Sequence, residues 1–280
     1  MKILIWGAGN RGGQLARTAK DGVEVVAFID NNPCKQGTVY YGCPVIAKED
    51  IAKCEFDKIV LSTYSDNQVL LDWITNNPDI DENRVANVDE GLFHEQRIQA
   101  MYQLADLIHE KSLGGATAEL GVWLGDFAKL INAAFPDKTL HLFDTFEGFD
   151  ENDIIAEKKL SPESETSHSF SPTSVELVRG RMPFPDNCRF HAGYFPDTAK
   201  GLEYEQFCFV SIDADLYKPI YDGLRFFYER LLPGGFIMVH DYYNSAFPGA
   251  KLAADQFADE AGVALVPIQD HGGSVVFGKR

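Results

Sequence analysis

Two apolar segments, FCFVSIDAD (207–215) and GGFIMVHDYYN (234–244), carry an aspartate where each apolar run ends, Asp213 and Asp241. One segment of helical length, 218–233, lies between them. This order predicts two parallel neighbouring strands, because parallel strands need a crossover of that length. Both aspartates then leave the same edge of the sheet, about 5 Å apart from strand to strand. The chain is therefore predicted to form an α/β sheet with a ligand-binding edge.

The two aspartates predict a site for one divalent cation. Carboxylates at the ends of buried strands are costly unless they are paired or bound to a metal ion. Mg²⁺ prefers oxygen ligands and keeps several waters, so two or three protein ligands suffice. Asp215, His240 and Asn244 are candidates for a third ligand, and His240 or Asp215 can serve as the general base. A helix cap or a hydrogen bond to a cofactor is the alternative role for the pair.

The charge balance excludes several kinds of partner. The 280 residues include 42 acidic and 25 basic side chains, a net charge of −17. Binding of nucleic acid depends on Lys and Arg that neutralise phosphates, so we expect no nucleic acid partner and no membrane partner. Short apolar runs and a start that leads directly into a glycine loop predict a cytoplasmic protein. Five cysteines without a CxxC pair predict reduced thiols.

A glycine loop opens the first half of the chain. An apolar strand at residues 3–5 leads into Gly7, Gly9 and Gly12, and the next strand ends in Asp30. An acid about 20 residues after the first glycine is typical of a dinucleotide-binding βαβ unit, whose helix start offers N–H groups to a phosphate. No catalytic constellation accompanies this loop, so we expect this half to bind rather than to react. Occupation by NAD, by a nucleotide sugar or by nothing stays open, as does a role in dimerisation.

A second glycine loop restarts the pattern near the middle of the chain. A strand that contains Glu119 leads into Gly121 and Gly125, and the following strand ends in Asp144. Glycines let the backbone approach a ligand closely, and a terminal acid can accept hydrogen bonds from ribose hydroxyls. These residues are therefore predicted to bind a nucleotide-type cofactor. A plain strand-to-helix turn, with Asp144 as a helix cap, is the alternative interpretation.

The two loops predict two doubly wound, Rossmann-like α/β domains. We place a nucleotide-binding domain at residues 1–92, a connecting helix at 93–112 and a second domain at 113–280. The segment 146–172 is polar, too long for an ordinary connector and typical of a mobile lid. Two short apolar runs at the end of the chain predict an antiparallel hairpin.

Four segments of the second half carry a specific resemblance: AELGVWLGDFAKLINAAFPDKTLHLFDTFEGF (118–149), HAGYFPDT (191–198), FVSIDADLYKP (209–219) and GGFIMVHDY (234–242). They resemble the macrocin/mycinamicin sugar O-methyltransferases, a family within the class I S-adenosylmethionine methyltransferases. The resemblance implies the class I methyltransferase fold with a final antiparallel hairpin. It also implies S-adenosylmethionine and Mg²⁺ as cofactors, and a hydroxyl on a sugar of a natural product as the methyl acceptor.

The resemblance also bears on two smaller groups of residues. Gly193, Tyr194 and Phe195 follow the third strand of the second half, where such folds border the adenine ring. An aromatic ring at that place either stacks on the adenine or belongs to the core. In related metal-dependent catechol-type enzymes an asparagine follows the second acid, whereas Tyr242 follows Asp241 here, so the third metal ligand stays open.

The first half resembles a different group. GAGNRGG, FIDNNP and the pattern from Gly37 to Ile46 are similar to small Rossmann domains in nucleotide-sugar acetyltransferases and polysaccharide enzymes. That resemblance implies binding of a nucleotide or a nucleotide sugar.

The leading interpretation is a Mg²⁺-dependent O-methyltransferase that uses S-adenosylmethionine and acts on a sugar or a glycosylated small molecule. An NAD-dependent oxidoreductase that uses the first half is one alternative. A non-catalytic nucleotide-sugar-binding protein is another, and a homo-oligomer is compatible with each of them.

Overall fold

The structure, a computed structural model, describes residues 1–62, 82–86, 91–93, 96–162, 164, 166, 170, 172–244, 246–268, 270 and 273–280, without the side chains of residues 10, 11, 14, 82 and 86. The chain forms two compact units, Met1–Glu95 and Gln96–Arg280. The helix expected to connect two domains belongs to the second unit from Gln96 onwards. The domain bounds given by the sequence stay a prediction.

The first unit contains a six-stranded sheet in the order β3-β4-β2-β1-β5-β6. Its elements are β1 (Lys2–Trp6), α1 (Asn10–Arg17), β2 (Glu24–Ile29), β3 (Val39–Tyr40), β4 (Cys43–Ile46), a 3₁₀ helix (Lys48–Lys53), β5 (Lys58–Leu61), a 3₁₀ helix (Glu82–Arg84) and β6 (Val85–Ala86). β1 pairs in parallel with β2 on one side and with β5 on the other. The first glycine loop therefore follows the central strand, at the point where the strand order reverses.

The second unit alternates strands with helices. Its elements are α2 (Gln96–Glu110), β7 (Ala116–Leu120), α3 (Asp126–Ala134), β8 (Leu140–Asp144), α4 (Glu151–Leu160), α5 (Val175–Arg181), a 3₁₀ helix (Pro185–Asn187), β9 (Cys188–Ala192), a 3₁₀ helix (Asp197–Ala199), β10 (Phe207–Ile212), α6 (Tyr217–Arg230), β11 (Leu231–Val239), α7 (Pro248–Ala261), β12 (Leu265–Ile268) and β13 (Ser274–Gly278). In the described part of the chain, no helix combines the length and the apolar character needed to cross a bilayer.

These strands form one seven-stranded sheet in the order β12-β13-β11-β10-β7-β8-β9. The strands from β11 to β9 are parallel to their neighbours, whereas β13 is antiparallel to both β11 and β12. The final hairpin and the parallel pairing of β10 with β11 are therefore confirmed. The order of the parallel strands reverses between β7 and β10, so the loops after these strands diverge and leave a crevice.

The central strands are buried on both faces of the sheet. Every residue of β7 and of β10 is buried, as expected for parallel strands covered by helices on each side. One apolar cluster joins both strands to α6 and α7, and a second joins β10 to α2 and α3. This two-sided packing fixes the strand ends from which the functional loops emerge.

The segment expected to be a mobile lid contains a helix packed against the second unit. α4 begins at an N-cap, Asp150, whose carboxylate accepts a hydrogen bond from the Asn152 N–H at 2.8 Å. Two acids on this helix, Asp153 and Glu157, are buried. The structure thus differs from the expected lid over residues 151–160, and residues 163, 165, 167–169 and 171 lie outside the described residues.

Candidate functional site

The ends of β10 and β11 bring the predicted acid pair together. β10 and β11 are parallel neighbours, and Asp213 and Asp241 follow them by one and two residues. Oxygen and nitrogen atoms of Asp213, His240 and Asp241 all lie within 4.8 Å of one another. The His240 ring nitrogen Nδ1 lies 3.1 Å from Asp213 Oδ1 and 3.0 Å from Asp241 Oδ2. The imidazole therefore sits between the two carboxylates.

A buried arginine that the sequence interpretation missed completes this cluster. Arg97, on α2, donates to Asp213 Oδ2 at 2.7 Å and to Ser211 Oγ at 3.2 Å. Its guanidinium also lies over the Phe127 ring, 4.0 Å from the centroid. Burial alone would raise the pKa of the Asp213 carboxyl, but the positive charge of Arg97 and the hydrogen bond from His240 hold it well below its usual range. Asp213 is thus ionised at any physiological pH.

A signal for Arg97 was available in the sequence. It stands directly beside the apolar stripe of α2 and four residues before Met101, which is fully buried. An arginine on the buried side of an amphipathic helix needs an acidic partner. Only the packing of α2 on the sheet identifies Asp213 as that partner.

His240 is a cation in this arrangement. Burial alone would lower its pKa, but hydrogen bonds to Asp213 and Asp241 raise the pKa from its ordinary 6.5 to about 10. A protonated imidazole cannot accept a proton, so His240 does not fit the role of general base while it bridges the two acids. The role of His240 as general base stays a prediction. It requires the imidazole to lose its proton and its present contacts with the two acids.

The raised pKa of His240 gives a pH prediction for stability. The folded state binds this proton more tightly than the unfolded state, so the stabilisation is complete below about pH 6.5 and is lost as the pH rises towards 10. We expect the difference in unfolding free energy between the wild type and His240→Asn to shrink over this range. Urea titrations with a chelator present measure it, and a difference that stays constant from pH 6.5 to 10 would contradict the assignment.

Asp215 is the third acid of the cluster. Both Asp215 and Asp241 have a positive φ, 58° and 61°, a strained conformation that collects at functional sites. Burial, the charges of Asp213 and Asp241, and a hydrogen bond to Asp241 raise the pKa of Asp215 well above its usual range. The Asp215 carboxyl therefore holds its proton more tightly than an ordinary aspartate, and a nearby positive charge is needed to restore the carboxylate form.

A pocket opens beside the acid cluster at the crevice between β7 and β10. Its space is about 670 Å³ when counted out to the open mouth. It is lined by Leu120, Gly121, Trp123, Phe143, Asp144, Thr145, Gly148, Phe149, Asp150, Asp153, Phe170, Gly193, Tyr194, Phe195, Asp213, Ala214, Asp215, Leu216 and Pro219. The second glycine loop, the end of β8 and two of the three clustered acids thus face one pocket. We call it the donor pocket, after the methyl donor that the resemblance implies.

Asp144 holds the second glycine loop in shape. Its Oδ2 accepts the N–H groups of Val122 at 2.6 Å and Trp123 at 2.8 Å, and its Oδ1 accepts the N–H of Phe146 at 2.7 Å. Gly121 follows β7 with a φ of +84°, and an added Cβ would lie 2.0 Å from the Asp213 carbonyl oxygen. Glycine is therefore required at this position, where the loop passes the end of β10.

Two of the predicted cofactor residues lie beside the donor pocket and not in its wall. Glu119 is 1% exposed, and burial raises the pKa of its carboxyl well above the usual range. Gly125 begins α3 with a φ of +78° against the side chain of Val178. Neither residue is among the described lining residues, so their predicted contact with the cofactor is not seen directly.

The aromatic pair after β9 divides into one core residue and one wall residue. Phe195 is 5% exposed and stacks on Phe227 with ring centroids 5.8 Å apart, so most of its ring belongs to the core. The Tyr194 hydroxyl donates to Asp153 at 2.9 Å and accepts from Lys218 at 2.8 Å. Tyr194 therefore lines the pocket, while Asp153 and Lys218 hold its hydroxyl in place.

The acid cluster fits a divalent cation, but with a mixed donor set. Two carboxylates and one imidazole converge, whereas Mg²⁺ prefers oxygen ligands alone and imidazole suits Mn²⁺ or Zn²⁺ better. Asn244 donates to Asp241 at 2.8 Å, and its own oxygen accepts the Ala246 N–H at 3.0 Å. The second lone pair of that oxygen could still bind a metal ion, so Asn244 stays a candidate for the third ligand. His240 would have to lose its proton, and its contacts with the two acids, before it could bind a metal ion.

The first glycine loop is held by contacts within its own unit. Asp30 Oδ2 accepts the Ala8 N–H at 3.0 Å and the Lys35 ammonium at 2.9 Å, and Lys35 also donates to the Ala8 carbonyl. Gly7 and Gly9 flank Ala8, and Gly12 lies in α1. One oxygen of Asp30 is thus already neutralised, and no contact among the described residues of this loop favours NAD over a nucleotide sugar.

Two family models match the chain. Residues 58–278 match the macrocin-O-methyltransferase (TylF) family, and residues 1–86 match the family described as C2185-like, N-terminal. The sequence interpretation compared the first half with domains of nucleotide-sugar acetyltransferases. The match to the C2185-like family does not support that resemblance.

Two relatives are O-methyltransferases. The chain is 31% identical over 164 residues to the mycinamicin III 3''-O-methyltransferase of Micromonospora griseorubida, and the match covers 54% of this chain and 63% of that enzyme. It is 27% identical over 205 residues to the 8-demethyl-8-(2,3-dimethoxy-alpha-L-rhamnosyl)-tetracenomycin-C 4'-O-methyltransferase of Streptomyces olivaceus, covering 69% of this chain and 75% of that enzyme. The matched segment thus spans less than two thirds of the mycinamicin enzyme.

A solved structure supports the fold. The O-methyltransferase NovP superposes with a TM-score of 0.56 at 24% identity, over 66% of this chain and 79% of that chain. The likeness confirms a mixed α/β fold with a Rossmann-like seven-stranded sheet of the methyltransferase type. Since the family match extends over most of the sequence, the chain belongs to the macrocin-O-methyltransferase family of S-adenosylmethionine-dependent O-methyltransferases.

Proposed function

We propose that the chain transfers the methyl group of S-adenosylmethionine to a hydroxyl of a sugar or glycosylated small molecule. The observation that carries this proposal is the donor pocket, which joins the glycine loop and Asp144 to the acids Asp213 and Asp215. Cofactor-binding and proton-accepting groups thus share one crevice at the switch point of the sheet. The names of the two relatives support a glycoside as the acceptor.

The donor would lie along the glycine loop. Asp144 has four acceptor positions and uses three on backbone N–H groups, so one position is left for a ribose hydroxyl. Gly193 and Tyr194 would border the adenine, and the sulfonium would point to the acid cluster. Much of the rate in such a reaction comes from holding the methyl carbon and the acceptor oxygen in line at near-attack distance.

The transfer forms one bond and breaks one. The acceptor oxygen bonds to the methyl carbon as the carbon–sulfur bond breaks, and the sulfur keeps the electron pair as neutral S-adenosylhomocysteine. The hydroxyl proton must leave, and Asp215, which faces the donor pocket, is the group we assign to receive it. The Asp215 carboxyl can accept the proton only in its ionised form, and a cation bound to Asp213 and Asp241 would favour that form by lowering its raised pKa. His240 stays the alternative that the sequence offers.

A divalent cation bound to Asp213 and Asp241 belongs to this proposal, with His240, Asp215 or Asn244 as the third ligand. When bound, it would lower the pKa of a coordinated hydroxyl, as metal sites do for bound water. The residues present fit such an ion, since their donor atoms converge and two of them are carboxylates. Because one donor is imidazole, we propose that Mn²⁺ serves at least as well as Mg²⁺.

We propose that the first unit binds a ligand or orients the substrate and takes no part in the chemistry. Its glycine loop follows the central strand of a parallel sheet, where nucleotides bind in related folds. NAD-dependent oxidation by this unit is the competing proposal. It requires NAD to bind where Lys35 now neutralises Asp30.

Calorimetry with S-adenosylhomocysteine tests the proposed function. We expect micromolar binding to the wild type and at least tenfold weaker binding to Asp144→Ala, because the loop loses three hydrogen bonds as well as a ribose contact. Asp137→Ala, which removes an exposed acid after α3, is the matched control. Binding of NAD without any binding of S-adenosylhomocysteine would overturn the proposal.

A transfer assay then defines the acceptor class. Methyl-labelled S-adenosylmethionine is offered with macrolide glycosides, aryl rhamnosides and nucleotide-activated deoxysugars. We expect label in a methyl ether of a sugar hydroxyl in at least one of these groups. Label that appears only on nitrogen or carboxyl groups would contradict an O-methyltransferase for glycosides.

A further inference from the structure

Two buried acids lie one turn apart on the inner face of α4. Asp153 is 5% exposed and Glu157 is 0% exposed. Their spacing of four residues places both on the same side of the helix. Asp153 lines the donor pocket and accepts from the Tyr194 hydroxyl, whereas Glu157 lies beyond the pocket wall. Asp153 therefore forms part of the pocket wall, whereas the proposed reaction assigns no role to Glu157.

The Glu157 carboxylate accepts hydrogen bonds from three different segments. Its Oε1 accepts from Ser164 Oγ at 2.8 Å and from the Gly249 N–H at 3.1 Å. Its Oε2 accepts from the Tyr217 N–H at 2.8 Å. Tyr217 is the first residue of α6 and Gly249 the second residue of α7. One side chain thus joins α4 to the starts of two other helices.

Both of those helices lack a side-chain cap of their own. The N-cap residues are Leu216 for α6 and Phe247 for α7, and neither makes a side-chain cap hydrogen bond. The first N–H groups of a helix have no partner within it and carry a partial positive charge. Glu157 supplies a negative acceptor to both helix starts, which offsets the cost of burying its carboxylate.

The backbone around Glu157 is shaped to admit this carboxylate. A Cβ added at Gly249 would lie 2.1 Å from Glu157 Oε2 and 2.5 Å from Oε1. The glycine lets the second residue of α7 approach the acid closely enough for its N–H to bond. The contact therefore depends on the residue at 249 as well as on the acid at 157.

The hydrogen bond between Glu157 and the Tyr217 N–H links two sides of the donor pocket. Phe149, Asp150 and Asp153, at the start of α4, form one side, and the run from Asp213 to Pro219 forms another. Tyr217 lies inside that second run, four residues after Asp213 and two after Asp215. A bond from Glu157 to the Tyr217 N–H therefore fixes the separation of the two sides without touching a ligand.

We propose that Glu157 is a positioning residue that sets the width of the donor pocket by tying α4 to the starts of α6 and α7. The proposal rests on the proposed function, since the pocket is taken to hold the methyl donor. It predicts that donor affinity depends on a carboxylate outside the pocket wall.

Glu157→Gln is the direct test, because an amide keeps the size but replaces one acceptor oxygen with a donor. Its NH₂ group must then face the N–H of Tyr217 or that of Gly249, and one link is broken. We expect the dissociation constant for S-adenosylhomocysteine to rise about tenfold, the effect of one lost hydrogen bond to a charged group. Calorimetry is done well below the unfolding temperature of the variant, so that only folded protein is compared.

Two matched variants separate positioning from general stability. Glu151→Gln changes an exposed acid on the same helix, and Ser164→Ala removes the one donor to Glu157 that belongs to neither helix start. We expect less than a twofold change in affinity for both. A Glu157→Gln variant that unfolds at lower temperature but binds S-adenosylhomocysteine within twofold of the wild type would make Glu157 merely structural and overturn the proposal.

Hydrogen exchange on the wild type tests the same link without a variant. Gly249 is not among the described lining residues, yet its N–H is tied through Glu157 to α4 and to α6. We expect S-adenosylhomocysteine to slow exchange at the Gly249 amide several-fold. Binding of the ligand with unchanged exchange at Gly249 would count against the proposal.

The proposed function and the role of Glu157 can fail separately. A wild type that does not bind S-adenosylhomocysteine would remove the methyl donor from the pocket. In that case exchange of the amides from 213 to 218 decides, because Glu157→Gln should speed it several-fold and Glu151→Gln should not. Equal exchange in both variants would show that Glu157 does not hold this run.

Discussion

Replacing Arg97 with Met is expected to lower the unfolding free energy by about 3 kcal/mol, the lower end for breaking a buried ion pair. The Arg97 guanidinium is buried and lies 2.7 Å from Asp213, whose carboxylate is also largely shielded from water. Removal of the arginine leaves that charge without its strongest partner. We choose the lower end because His240 still hydrogen-bonds to Asp213. Urea unfolding at pH 7 measures the change.

A surface ion pair in the same unit is the control for Arg97→Met. Arg181 pairs with Asp126, but both side chains are about a third or more exposed. Arg181→Met should therefore cost less than about 1 kcal/mol. In the double variant Arg97→Met/Asp213→Asn the loss should be smaller than the sum of the two single losses, because the second change removes the stranded charge. Strict additivity would show that the pair does not stabilise the fold.

Replacing Asp241 with Asn is expected to lower the methyl-transfer rate at least about a hundredfold, while S-adenosylhomocysteine still binds within about twofold of the wild type. Asp241 supplies one of the two carboxylates of the proposed cation site, but it is not among the described residues that line the donor pocket. Loss of this charge should therefore affect the acceptor hydroxyl more than the donor. The rate is measured at saturating donor with an acceptor from the transfer assay.

Direct measurement of cation binding completes this test. Electron paramagnetic resonance of Mn²⁺ should detect one bound ion in the wild type. Asp241→Asn and Asp213→Asn should each weaken the binding of that ion. Asp259→Asn, an exposed acid on α7, is the matched control and should change neither the rate nor the binding. Full activity of the wild type after chelation of divalent ions would remove the cation from the proposal.

Much of this architecture could be predicted from the sequence because it depends on local periodicity and on chain order. Apolar runs separated by one helix require parallel strands, and parallel strands send their carboxyl ends to one edge. The convergence of Asp213 and Asp241 follows from that rule alone. The glycine loop after β7 was also predicted, and the structure adds the reason for glycine at position 121, a positive φ and the nearby carbonyl oxygen of Asp213.

Other features could not be read from the order of residues. The segment 146–172 is polar and too long for an ordinary connector, and these two features predicted a mobile lid. Its helix is instead held by acids that find partners on α6, α7 and the loop after β9, far away along the chain. A buried acid and an exposed acid have the same place in a hydropathy pattern, so Glu157 could not be told from Glu151.

The sequence by itself determined the parallel pairing of β10 with β11 and the acids at their ends, because these follow from chain order. The family followed from the resemblance of four segments of the second half. The tertiary structure alone decided which charges meet. It paired Arg97 with Asp213, placed a protonated His240 between two carboxylates and brought Glu157 to two helix starts. Electrostatic interactions act through space over a few ångströms, so their partners are fixed only when the chain has packed.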